Sequence, residues 1–297
     1  MYIKRLKLNN FRNYEQQDIV LDNKINVFYG DNAQGKTNIL ESIYMCAMAK
    51  SFRAKKDKEL IYLGKDEAKI EIEFEKKDRD KKILIDLSNK KNIYVNDIKI
   101  KKLSELIGNL NIVMFSPDDI LILKNGPEAR RKFLNIMISQ LRPNYIYNLN
   151  AFLKTLEQRN NYLKQIKYEN KDKKILSIWN EKLAMHAEII ARYRKEFIDK
   201  IIDKIETIHK VITEEKEDIT IKYKTECLDK NDYIELLNKT ELYDIQKGYT
   251  SKGIHKDDFE VFINNKPVSI YGSQGQHRTA ILSLKLSELQ IIYDEIG

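Results

Sequence analysis

Eight consecutive residues carry the plainest chemical message in the chain: Gly30-Asp31-Asn32-Ala33-Gln34-Gly35-Lys36-Thr37. They fit the pattern G-x-x-x-x-G-K-[ST], in which glycines let successive backbone N–H groups curl around a phosphate. Lys36 would add a compact positive charge at the β and γ oxygens, and the Thr37 hydroxyl is of the kind that ligates Mg²⁺. Loop 30–37 is therefore a candidate nucleotide site, with Thr37 the candidate metal ligand.

Such a loop works at the entrance of a helix, where unpaired amides and the positive end of the dipole face the anion. Residues 25–29 supply a β-rich run before it. After it, Ile39, Leu40, Ile43, Tyr44 and Ala47 recur at helical spacing, so the sequence predicts a strand–loop–helix unit. Shorter β-rich runs at 2–8 and 18–21 precede it. Residues 69–75 and 82–87 alternate as half-exposed antiparallel strands do, and 93–95 and 111–115 read as further strands. The first ~115 residues are thus mixed α/β.

Beyond Ser116-Pro117 the periodicity turns helical over 127–141, 145–168 and 173–211, with breaks at Arg142-Pro143 and at 169–172. The last segment is long enough for a protruding antiparallel helix pair, a packed helical lobe being the alternative. A strand at 219–224, a helix at 232–247, a strand at 259–263 with a hairpin turn at Asn264-Asn265, and a helix from Ser273 onward complete the pattern.

Composition limits what surrounds these elements. The 297 residues include 53 Lys+Arg and 45 Asp+Glu, a formal charge of +8, with 42% apolar residues. That apolar share supports a sizeable core and excludes a disordered chain. A mean hydropathy of −0.55, no apolar run of about 18 residues and no signal-peptide core lead us to expect a cytosolic protein. Cys46 and Cys227 are too far apart for a CxxC motif and form no Cys/His cluster, so both are expected to be small buried hydrophobes. His255 and His277 are not at zinc-binding spacing and are expected in hydrogen-bonding or solvent-facing roles. The positive excess admits an acidic polymer as partner, and a Lys-rich proteome gives the same numbers. No repeat or flexible linker is evident.

A second motif, Ser273-Gln274-Gly275-Gln276, opens the last helix. Alone it is a Ser N-cap followed by helix formers. Together with the phosphate loop it resembles the signature sequence of ABC-type ATPase heads, where a Ser, a Gly and a helix N-terminus cap the γ-phosphate held by a partner subunit. The set widens further with residues 9–14 (Asn-Asn-Phe-Arg-Asn-Tyr), Lys50-Ser-Phe-Arg53, Ser116-Pro-Asp-Asp119, Arg130-Arg131-Lys-Phe-Leu134, Gln158-Arg-Asn160, Gly253-Ile-His-Lys-Asp-Asp258 and Tyr271-Gly-Ser-Gln-Gly-Gln276. In order and spacing, from one end of the chain to the other, these blocks resemble the RecF family of recombination mediators.

The resemblance implies an α/β fold: a P-loop ABC/SMC-type ATPase head with a helical second domain. It divides the chain into an N-terminal lobe of the head at 1–116, a helical insertion domain at 117–235, and the remaining part of the head with the signature motif at 236–297. It implies ATP and Mg²⁺ as cofactors, with Gly30, Asp31, Asn32, Ala33, Gln34, Gly35, Lys36 and Thr37 binding them. Arg12 would lie near the phosphates, the alternative being an ordinary exposed turn arginine. Ser273, Gln274, Gly275 and Gln276 would act in trans across an ATP-dependent homodimer. Arg53, Arg130 and Arg131 are candidates for DNA phosphate contacts, or else part of a solvated basic face. The implied partners are DNA (duplex, gapped or a single-stranded/duplex junction), RecR and RecO. The implied setting is the bacterial cytoplasm, in recombinational repair and the SOS response, with no membrane. An ATPase subunit of a membrane transporter shares both nucleotide motifs, and a non-hydrolysing nucleotide- or partner-binding fragment is a third reading.

The family pattern also calls for a Walker B strand ending in Asp just after position 297. The expectation is a C-terminally truncated head that lacks the residues to complete the Mg²⁺ site, with negligible hydrolysis and exposed apolar strand faces. The run Ile83-Leu-Ile-Asp86 is a substitute in type only, because it alternates like an antiparallel strand.

Overall fold

The computed structural model describes residues 1–296 and divides into two compact units, Met1–Met114 and the chain from Phe115 on. The first unit is a six-stranded antiparallel sheet covered by one helix. Its elements in chain order are β1 (Tyr2–Phe11), β2 (Tyr14–Val20), α1 (Lys36–Met48), β3 (Ala68–Lys76), β4 (Arg79–Leu87), β5 (Lys91–Val95) and β6 (Ile98–Lys99). The spatial order is β2-β1-β3-β4-β5-β6.

Two-residue turns set the register. Lys77-Asp78 and Asn96-Asp97 all take positive φ, the hairpin geometry whose twist matches that of its strands. Strict alternation then buries Leu6, Leu8, Ile70, Ile72, Phe74, Ile83, Ile85 and Leu87 on one face, while Lys7, Glu71 and Lys82 pair with one another on the other. Helix α1 turns Ile39, Met45, Cys46 and Ala47 into the core.

Two expected strands do not form. Residues 25–29 are extended but unpaired among the described residues, and Ile25, Val27 and Tyr29 are 75–91% exposed. A local turn competes with pairing: Asp22 N–H donates to Asn26 Oδ1 at 2.8 Å, and Asn26 Nδ2 donates back to Asp22 O at 2.9 Å. Both sides of β1 are already taken by β2 and β3. Residues 111–115 likewise join no sheet.

The second unit packs helices around a small sheet. It contains α2 (Leu121–Lys124), α3 (Pro127–Leu141), α4 (Pro143–Glu169), α5 (Leu176–Thr213), β7 (Ile219–Lys224), α6 (Lys230–Lys239), α7 (Glu241–Lys247), β8 (Asp258–Ile263), β9 (Lys266–Pro267), α8 (Val268–Tyr271) and α9 (Gln274–Ile296). Pro143 starts α4 and holds Arg142 in the extended region, which separates α3 from α4. The single helix expected over 232–247 is two, because Thr240 leaves helical geometry and its hydroxyl donates to Leu236 O at 3.0 Å.

Position 235/236, the expected boundary, falls inside the second unit. Strand β7 pairs along its length with β8, α5 packs against α9, and one core runs from Phe133 and Leu183 to Phe259 and Ile291. Residues 236–296 therefore pack with the helical part. No helix among the described residues is long and apolar enough to cross a membrane.

Candidate functional site

The phosphate loop leads into α1 with Gly35 at the N-cap position, φ 97°, and no side chain capping the first turn. The helix therefore begins with amides that its own residues leave unpaired, as an anion site requires. At φ 97° the position favours glycine on torsional grounds, and a side chain there would also have to displace the Asn13 amide and the Tyr14 hydroxyl, 2.6 and 2.8 Å from where its Cβ would sit. Lys36 Nζ donates to Gly30 O at 2.7 Å and Asp31 O at 2.5 Å, which closes the loop over its own start. Thr37 is exposed in the first turn. These residues fit a nucleotide polyphosphate, with the Thr37 hydroxyl placed to serve a divalent cation.

The turn between β1 and β2 braces this loop. Arg12 occupies the left-handed region at φ 56° and is held there by its N–H to Leu60 O at 2.8 Å. Asn13 donates to Gln34 O at 3.3 Å and accepts from Asn38 Nδ2 at 2.8 Å. The Arg12 guanidinium grips Glu41 with both forks, Nε to Oε2 at 2.9 Å and Nη2 to Oε1 at 2.7 Å.

Glu41 is fully buried and also accepts from Arg53 Nη2 at 2.6 Å and from the Ser51 hydroxyl. Burial alone would push its carboxyl up, but the hydrogen bonds from Arg12, Arg53 and Ser51 hold it below the ordinary range. Asn13 and Ser51 lie in the motif blocks at 9–14 and 50–53, where they carried no role of their own, and Glu41 lies in none. The signal for Glu41 was present: it shares the buried stripe of α1 with Met45 and Met48.

The signature residues build a capping box at the start of α9. Ser273 N–H donates to Gln276 Oε1 at 3.0 Å, and Gln276 N–H donates to Ser273 Oγ at 3.2 Å. Glu217 steadies the box by accepting from Gln276 Nε2 at 3.0 Å. Ser273, Gln274 and Gly275 remain exposed, so the helix N-terminus faces outward. His277 is buried beneath, with Nδ1 2.8 Å from Ser273 O.

The three candidate DNA-contact arginines differ in setting. Arg130 is 9% exposed and bidentate on Asp258, at 2.6 and 3.0 Å. Arg131 is half-buried and donates to Asp257 O at 2.8 Å. Both tie α3 to the start of β8. Arg53 stands beside the phosphate loop, donating to Asn38 Oδ1 at 2.5 Å. Asp86 lies on β4, on the face opposite the buried Ile83, Ile85 and Leu87, which is also opposite α1. Both cysteines are buried and free, and burial pushes the Cys227 thiol up to about 12.

Two motif blocks of the second unit, 158–160 and 253–258, are held by buried polar networks. Arg159 donates to Asn180 Oδ1 at 2.9 Å, Asp244 Oδ2 at 2.9 Å and Thr250 Oγ1 at 2.7 Å. Asn160 accepts from Thr250 N–H at 2.7 Å. Arg194 reaches Ile254 O at 2.6 Å and Asp257 Oδ2 at 3.1 Å, and Tyr223 Oη donates to the same Asp257 oxygen at 2.6 Å.

Known proteins match this arrangement. A family model for the AAA domain matches residues 5–247. The DNA replication and repair protein RecF of Clostridium novyi (strain NT) is 46% identical, over all of this chain and 83% of its own length. The protein of the same name from Clostridium kluyveri is 47% identical with the same coverage. Among solved structures, the recombination mediator protein RecF with ATP, in the RecFOR pathway, superposes with a TM-score of 0.94 at 36% identity, covering 99% of this chain and 82% of that one. A Pyrococcus furiosus Smc head domain aligns with a TM-score of 0.54 at 16% identity over 98% of this chain and 79% of that one, a likeness of fold alone. A phosphate loop on a braced turn, a signature box at a helix start and similarity at this level along the whole of this chain converge: the chain belongs to the RecF family, with the α/β fold of a P-loop ABC/SMC-type ATPase head and a helical second unit.

Proposed function

We propose that this chain is an ATP-dependent DNA-binding protein of recombinational repair and replication maintenance. ATP binds at loop 30–37, with Lys36 at the β and γ oxygens and the Thr37 hydroxyl on Mg²⁺. The exposed Ser273, Gln274 and Gly275 at the start of α9 cap the γ-phosphate held by a second copy, so two chains close over two nucleotides on DNA. The protein works in the cytoplasm with RecO and RecR at gapped DNA. The observation that carries this reading is the braced phosphate loop, which enters α1 through Gly35 at φ 97° with no side chain capping the first turn.

The test measures ATP binding, sedimentation and duplex retention on the same preparations. ATP should bind the wild-type chain, and Lys36→Ala should weaken it about a hundredfold, since a charge-assisted contact to phosphate is lost. Duplex DNA should be retained more strongly with ATP than without it, and the affinity should fall steeply with salt as counterions are released. ATP binding indifferent to Lys36, or DNA retention indifferent to nucleotide, would remove the proposal.

A further inference from the structure

We propose that Glu41 is a positioning residue of the nucleotide site: a buried carboxylate that anchors two guanidiniums, Arg12 and Arg53, beside the phosphate loop and leaves one of their positive charges free for an anion. The inference rests on loop 30–37 being a nucleotide site.

The stoichiometry is the first argument. A carboxylate taken wholly out of water needs a partner, because an unpaired ion in the interior costs several kcal/mol. Arg12 satisfies that need alone, since it engages both oxygens of Glu41 and sends its remaining Nη1 to Glu59 O at 2.8 Å. In the second unit one arginine per carboxylate suffices, as in Arg159 with Asp244 and Arg194 with Asp257. Arg53 is therefore surplus to the structural requirement.

Its placement is the second argument. The side chain of Arg53 is 38% exposed, against 21% for Arg12. Its Nη2 is shared between Glu41 Oε2 and Asn38 Oδ1, and Asn38 is the residue after Thr37, with its own N–H on Gly35 O at 2.7 Å. Nε and Nη1 of Arg53 find no protein acceptor among the described residues. Ser51 fixes the approach, because its hydroxyl donates to Glu41 while accepting from the N–H groups of Arg53, at 2.9 Å, and Ala54, at 2.7 Å. Glu41 thus holds a half-free guanidinium within one residue of the Mg²⁺-ligand position.

A glutamine at position 41 would turn an N–H₂ toward one of the guanidiniums, and Arg53 would lose its anchor while keeping its charge. The distinguishing measurement is a double-mutant cycle on ATP affinity in the full chain, by calorimetry, with thermal unfolding run in parallel. Arg53→Gln should weaken ATP about five- to tenfold, the range of one charge-assisted contact. Glu41→Gln should weaken it at least as much, and the double variant should be no worse than Glu41→Gln alone, because an unanchored Arg53 has little left to lose. Glu41→Asp should keep a measurable sensitivity to Arg53→Gln. If Glu41→Gln does not fold, Ser51→Ala loosens the same anchor without stranding a charge, and it should reduce the cost of Arg53→Gln. Independent, additive losses would overturn the proposal. So would ATP binding that is lost in Lys36→Ala yet unchanged in Arg53→Gln. Absence of ATP binding by the wild-type chain would overturn the nucleotide reading and this inference together.

Discussion

The two units use the same pairing, arginine on a carboxylate, to opposite ends. In the second unit each of Asp244 and Asp257 meets its arginine with both partners 0–3% exposed, and hydroxyls and amides fill the remaining lone pairs. Charge cancels and nothing faces outward. In the first unit a single buried Glu41 serves two arginines that are both partly exposed. Charge is left over, and it is left beside the phosphate loop. If Arg53 serves the site as proposed, the count of cations per buried anion separates the arginines that hold the fold from the one that serves the site.

The largest effect that would sharpen the contrast lies in the second unit. Asp244→Ala strands Arg159 in the interior and should cost about 3–5 kcal/mol of stability by urea unfolding. A loss under about 1 kcal/mol would show that the pair is not structural in the sense argued.

The next effect comes from acid. Burial holds His255 neutral down to about pH 4, against 6.5 for the free side chain. Between those values the unfolded chain takes up a proton that the folded chain resists. Stability is therefore full above about pH 6.5 and declines as the pH falls, by on the order of 3 kcal/mol at pH 4. His255→Gln should flatten that part of the profile, and a decline of equal slope in the variant would assign the acid sensitivity elsewhere.

The smallest effect belongs to the first unit. Arg53→Ala should shift stability by less than about 1 kcal/mol, as for other partly exposed pairs. A loss comparable to that of Asp244→Ala would erase the distinction between the two regions.

Legibility in the sequence followed what is local. The G-x-x-x-x-G-K-[ST] spacing located the loop, alternation located β3 and β4, and helical periodicity with Pro143 located α3, α4 and α5, because each depends on neighbours a few residues away. Residues 25–29 have strand composition but form no strand, since a ladder needs a partner and composition does not supply one. Arg130 and Arg131 read as a basic pair suited to phosphate, and their carboxylate and carbonyl acceptors lie more than a hundred residues away in sequence. Only the fold reveals that the Arg130 charge is already matched by Asp258 and that Arg131 gives an N–H to a carbonyl. Glu41 had no role in the sequence reading, because the partners that hold its carboxylate, Arg12 and Arg53, are brought to it only by the fold.

Helix α5 runs 38 residues without a glycine or proline, so it has none of the usual sites of kinking. At 1.5 Å per residue it is a rod about 57 Å long. Near its C-terminal end His209 Nδ1 meets Ser283 Oγ of α9 at 2.8 Å, less than three turns from the signature box. Lys200 and Lys204 on the same helix meet Glu295 and Asp294 of α9, and the intervening apolar side chains of α5 are buried in the core. The long helix is therefore a splint: it lies against α9 over several turns and holds the helix that carries the signature box in a fixed line.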